Sequence, residues 1–102
     1  MSQKIYKYQL ELRPCTLLKM PRGAKVIHLN VQNDIPCIWA IVDIRPDTPL
    51  VTRRFERVIT GGTVFDVPPK FNYIGTYQLQ NGELVYHLFD DCSCDWDRKH
   101  EP

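Results

Sequence analysis

Serine is almost absent from this chain of 102 residues: Ser2 stands at its start and Ser93 near its end. A serine triad needs its nucleophile on a fixed element, so that chemistry has no carrier here. Also missing is any run of about 18 apolar residues, the length a helix needs to span a bilayer. The opening residues alternate polar and apolar and contain no continuous apolar stretch of a signal peptide, so the expectation is a cytoplasmic protein with reduced thiols. Paired carboxylates at fixed strand positions, as glycoside hydrolysis requires, are not evident. Gly61-Gly62 lacks the lysine and downstream hydroxyl of a phosphate loop. Alanine is scarce while prolines number eight, a bias toward strands and turns over helices.

What is present is alternation. Residues 73–89, YIGTYQLQNGELVYHLF, form two alternating runs joined by Asn81-Gly82, a strong hairpin signal. Reading outward from that turn, Leu79 meets Leu84, Tyr77 meets Tyr86 and Gly75 meets Leu88 on a face expected to be buried. Gln78/Val85, Thr76/His87 and Ile74/Phe89 fall on the other. Residues 5–12 alternate with Tyr6, Tyr8, Leu10 and Leu12 on one face, until Arg13-Pro14 ends the ladder. Residues 16–20 suggest a second strand, and the Met20-Pro21-Arg22-Gly23 stretch reads as a turn. Lys25–Gln32 then places Ile27, Leu29 and Val31 inward, and Asn33-Asp34 turns it into the apolar run of residues 36–43, PCIWAIVD. Trp39, its largest side chain, is the expected centre of the core.

Residues 44–50 hold Pro46 and Pro49 and read as a loop. Residues 51–60, VTRRFERVIT, fit a strand, with Val51, Arg53, Phe55, Arg57 and Ile59 on one face; a helical stripe of Val51, Phe55, Val58 and Ile59 is the alternative. A glycine- and proline-rich loop follows over residues 61–72, the kind of segment that carries function more often than average. The expected fold is all-β: a small antiparallel sandwich or partly open barrel of six or seven strands with at most one short helix. Residues 1–89 make a single domain, and residues 90–102 (DDCSCDWDRKHEP) an acidic, flexible tail.

Candidate chemistry is thin. Cys92 and Cys94, with Asp90, Asp91, Asp95, His100 and His87 nearby in sequence, form the one cluster of metal-ligand types, but C-x-C without a matched second pair falls short of a zinc pattern. Cys37 reads as a small apolar filler; His28 would need to lie beside it to form a dyad, and a buried thiol without a cationic neighbour is a poor nucleophile. Neither an enzyme, a metal site nor a cofactor is expected. Arg53, Arg54 and Arg57, followed by Gly61 and Gly62, are the densest basic group and the candidate anion-binding site; the competing reading pairs these arginines with Glu56, Asp43, Asp47 or the tail. Charge is also uneven. Residues 1–34 hold six Lys/Arg against Glu11 and Asp34, net +4, while residues 73–102 hold Arg98 and Lys99 against six acids, net −4. Either the two ends attract each other, or one face is basic and meets an anionic partner.

Residues 5–8 (IYKY), 20–43 (MPRGAKVIHLNVQNDIPCIWAIVD) and 73–89 occur in an order that resembles an uncharacterised family of short bacteriophage, prophage and bacterial proteins. Its members share an IYKY-type strand, an MPKGA-type turn, a V-Q-N-x-x-P-C-x-W-A-like hairpin, an arginine/phenylalanine strand and a YIGT-type terminal hairpin. The resemblance implies a small intracellular accessory protein and transfers no catalytic residue. The functional expectation is a non-enzymatic phage or prophage protein that binds and modulates a host macromolecule. A nucleotide or short nucleic-acid binder using the arginine cluster, and a minor virion component, are the alternatives. An edge strand also offers a route to a homodimer.

Overall fold

A computed structural model describes residues 2–64 and 71–90. They form seven strands: β1 (Gln3–Gln9), β2 (Cys15–Pro21), β3 (Lys25–Gln32), β4 (Ile35–Asp43), β5 (Leu50–Ile59), β6 (Asn72–Leu79) and β7 (Leu84–Asp90). There is no helix among the described residues. Two antiparallel sheets, ordered β1-β4-β3 and β2-β5-β7-β6, face each other as a sandwich. β3 runs alongside β6 without pairing to it, so the sheets do not close into a barrel.

Four turns use left-handed backbone, mostly at the Gly, Asn and Asp residues that adopt it most readily. Asn33 and Asp34, with φ of 52° and 63°, make the two-residue link from β3 to β4 whose twist matches the flanking strands. Gly23, at φ 84°, is the third residue of a turn closed by the Ala24 amide donating to the Pro21 carbonyl at 3.0 Å. That turn carries the chain from one sheet to the other. At the last hairpin Gln80, Asn81 and Gly82 are all left-handed, and the Glu83 amide donates to the Gln80 carbonyl at 3.1 Å.

The core lies between Ile38, Ala40 and Val42 of β4 and Phe55, Tyr77, Leu79 and Leu88 of the second sheet, with Met20 and Leu10 closing one side. Residues 51–60 are a strand, and the hairpin register holds from Leu79/Leu84 through Tyr77/Tyr86 to Gly75/Leu88. The Tyr77 and Tyr86 rings stack at 5.5 Å.

Several expectations differ from the structure. A bulge between Tyr73 and Gly75 makes Phe89 face Tyr73 and turns Ile74 toward the core. A second bulge, between Val26 and His28, pushes Ile27 out to 45% exposure and brings Val26 inward, because one extra residue reverses the alternation. β1 ends at Gln9, and Leu12 is 62% exposed. Asp90 is the last residue of β7 and is buried. Trp39 does not centre the core: Ile38 and Ala40 beside it face inward, so alternation sends the indole to the outer face.

Candidate interaction surface

The arginines of β5 separate by facing. Arg53 points inward and is buried. Its Nη2 donates to Asp90 Oδ2 at 2.5 Å and its Nη1 to the Ala24 carbonyl at 2.6 Å. Arg54 points outward, donates to Glu56 Oε1 from Nε at 2.9 Å and from Nη2 at 2.5 Å, and lies over the Phe71 ring. Arg57 returns to the inner face at the far end of the strand, its guanidinium 4.1 Å from the Tyr86 ring centroid. Arg53 and Arg54 therefore already hold carboxylates, and the three arginines do not converge on one point. Gly61 and Gly62 end β5 in a tight turn. Gly61 is left-handed at φ 87°, and a β-carbon on Gly62 would sit 2.9 Å from the Ile59 carbonyl oxygen. Backbone geometry by itself requires both glycines. The middle of the following loop, residues 65–70, and the tail from 91, with Cys92 and Cys94, lie outside the described residues.

His28 and Cys37 are not cross-strand partners: His28 opposes Trp39 and Asn30 opposes Cys37. Cys37 is fully buried, as a small filler would be. Cys15 sits beside Arg54 and Glu56, and burial pushes its thiol above the ordinary value, away from nucleophilic character. His87 does oppose Thr76. Its Nδ1 lies 2.9 Å from Thr76 Oγ1 and its Nε2 2.8 Å from Thr60 Oγ1, with the Tyr73 hydroxyl extending the chain at Thr76. Hydroxyls on both nitrogens fix the ring, and no carboxylate among the described residues bonds to it. The described residues contain no cluster of three metal-ligating side chains.

Two concave regions flank the β3–β6 seam. Leu29 packs so close to Gly75 that a β-carbon there would sit 3.2 Å from Leu29 Cδ2, and this contact pinches the seam at its middle. On one side opens a groove of about 370 Å³, with the Arg53–Asp90 pair at its floor and Lys25, Ile27, Asn72 and Tyr73 at its walls. The charges at that floor are matched to each other.

The outer face of the three-stranded sheet has a different character. Register places its side chains in rows across β1, β4 and β3: Ile5–Ile41–Lys25, then Lys7–Trp39–His28, then Gln9–Cys37–Asn30. In the central row the half-buried indole has Lys7 Nζ 5.9 Å above its ring and the His28 imidazole 5.4 Å away. Lys7 also donates to Gln32 Oε1 at 2.5 Å, and Ile5 is 59% exposed. The described residues put one carboxylate on this face, Asp43 at its end. Arg45 holds it with Nε donating to Oδ1 and Oδ2 at 3.0 and 2.9 Å, and these bonds lower its pKa to about 2. Two of the six cations of the N-terminal third, Lys7 and Lys25, thus share a face with His28 around an aromatic, and the acid at its end is paired.

Sequence reasoning passed over this face because β4 is apolar on both sides, and a continuous run carries no sign of which residues face in. The signal that could have found it was the partner strand. Lys7 and His28 are polar, and both lie opposite Trp39.

No curated protein and no solved structure is significantly similar to the chain. A family match extends over residues 1–95. The chain belongs to the family described as a domain of unknown function, DUF7352.

Proposed function

We infer that this is a non-enzymatic accessory protein that binds an acidic protein partner through the outer face of the three-stranded sheet and modulates it. The observation that carries the reading is the Lys7–Trp39–His28 row, flanked by Lys25 and by Ile5. Interface cores are enriched in tryptophan, and surrounding cations steer an acidic partner and select its orientation. The order of motifs shared with short phage and prophage proteins supports a viral setting, in which the partner is a host protein and the site of action the host cytoplasm. A nucleotide or short nucleic acid is the competing ligand. It is less favoured because Arg53 and Arg54 already hold carboxylates and because the overall charge is only +1.

The test is affinity capture from host lysate at physiological salt with the wild type and with Lys7→Glu/Lys25→Glu. The expected result is a stoichiometric acidic protein that the wild type retains and the charge-reversed variant and high salt both release. Equal capture by the two forms would remove this face from the mechanism. Fluorescence anisotropy with a labelled oligonucleotide decides the competitor: salt-sensitive binding that Lys7→Glu abolishes would transfer the face to nucleic acid.

A further inference from the structure

β1 is an edge strand of seven residues with a regular register along its whole length, and its sequence QKIYKYQ contains neither proline nor glycine. The described residues place no strand on its outer side. Ile5 and Tyr6, 59% and 43% exposed, stand on opposite faces of it. Such an edge is a template for another strand unless something blocks it.

Which groups it offers follows from the pairing with β4. The Leu10 amide donates to the Pro36 carbonyl at 2.9 Å and the Ile44 amide to the Ser2 carbonyl at 2.8 Å. Even-numbered residues of β1 therefore exchange hydrogen bonds with β4. In an antiparallel ladder the alternate residues point theirs the other way, so Gln3, Ile5, Lys7 and Gln9 present amides and carbonyls to the open edge.

We propose that this edge pairs with the β1 edge of a second copy, antiparallel, about a two-fold axis at Tyr6. In that register Gln3 faces the second copy's Gln9 and Ile5 faces the second copy's Lys7. These are the residues whose backbone groups are available, and they yield about eight backbone hydrogen bonds. Lys4 faces the second copy's Tyr8, and the two Tyr6 rings meet at the axis. No lysine opposes a lysine. The neighbouring registers are worse on grounds the same strand supplies. A slip of one residue takes the open amides and carbonyls out of phase. A slip of two in one direction opposes Lys7 to itself, and in the other shortens the ladder. Hydrogen-bond phase, charge and ladder length on β1 together select this pairing among the self-pairings of the strand.

The assembled sheet would have six strands in the order β3-β4-β1-β1-β4-β3. On its outer face the Lys25–Ile41–Ile5 row of one copy would run into the Lys7–Trp39–His28 row of the other. Two basic–aromatic patches would become one two-fold symmetric surface. The pairing is independent of what that surface binds.

The test is sedimentation velocity on the full chain across a wide concentration range. The wild type is expected to reach twice the monomer mass. Ile5→Lys puts like charges opposite each other at both equivalent pairings and is expected to raise the dissociation constant by about tenfold or more. Ile5→Lys/Lys7→Glu puts opposite charges there and is expected to recover the dimer, which a merely misfolded strand could not do. Ile5→Pro removes an amide from the open edge alone and is expected to give a folded monomer, as judged by its circular dichroism. A wild type that stays monomeric throughout, or a dimer that Ile5→Lys leaves intact, would overturn the proposal.

Discussion

Breaking the ion pair between Arg53 and Asp90 is expected to cost far more than removing it whole. Both side chains are 7% exposed, one on β5 and one at the end of β7. Besides the carboxylate, the guanidinium bonds the Ala24 carbonyl at 2.6 Å, so one residue ties the sheet-changing turn to both strands. In Asp90→Ala the cation stays buried with its main counter-charge gone. Such an uncompensated charge costs about 3–5 kcal/mol, a large share of a total stability of roughly 5–15 kcal/mol. For a domain of this size each kcal/mol moves the midpoint by about 4–8 °C, so the melting temperature should fall by some tens of degrees. Arg53→Met, which strands the carboxylate instead, should be comparably damaging. The double variant Arg53→Met/Asp90→Leu should recover most of the loss, because apolar side chains of similar volume often match or exceed a buried pair. Urea titrations of the wild type, Arg53→Met, Asp90→Leu and the double variant, followed by circular dichroism with equal m-values, close the cycle that gives the coupling energy. Costs that simply add in the double variant, or an Asp90→Ala cost below about 1 kcal/mol, would refute the claim that these two charges are committed to each other.

Tyr77→Phe should stabilise the protein by about 1 kcal/mol in the same titration. The Tyr77 hydroxyl is buried without a hydrogen-bond partner, and the desolvation that raises its pKa, only partly offset by Arg57, is a cost phenylalanine does not carry. Phe55→Ala should cost about 3–5 kcal/mol, whereas Trp39→Phe should cost under about 1 kcal/mol, since the indole stands outside the core; similar losses at the two positions would place Trp39 back inside. The Asp43 carboxyl should titrate near pH 2 by NMR. Its bonds to Arg45 depress the folded value below the usual 3.8, so what the pair contributes is complete above about pH 4 and lost as pH falls through 2. In Arg45→Ala the Asp43 titration should move back toward 3.8.

The parts of the fold legible in the chain are those where local chemistry and alternation agree. Asn81-Gly82 and Asn33-Asp34 lie where left-handed residues are needed, and the flanking strands pair as their alternation requires from Leu79/Leu84 to Gly75/Leu88. Legibility ends at the bulges. Neither Ile27 nor Ile74 differs in kind from its neighbours, yet one extra residue in each strand reverses every facing beyond it. The strand of arginines was legible in part: a period of two separates Arg53 and Arg57 from Arg54, but that Asp90 belongs to the pairing strand and not to the tail depends on where β7 ends. The outer face failed for a third reason. Ile38, Ala40 and Val42 must be apolar to fill the core, whereas the half-buried Trp39 and Ile41 are apolar on the opposite face. A central strand of a sandwich sheet that faces water on one side has no packing reason to be apolar there. Trp39 stands half-buried there, with Lys7 over its ring and His28 beside it. On the reading proposed above, a partner seated on that face would complete the burial of the half-buried Trp39.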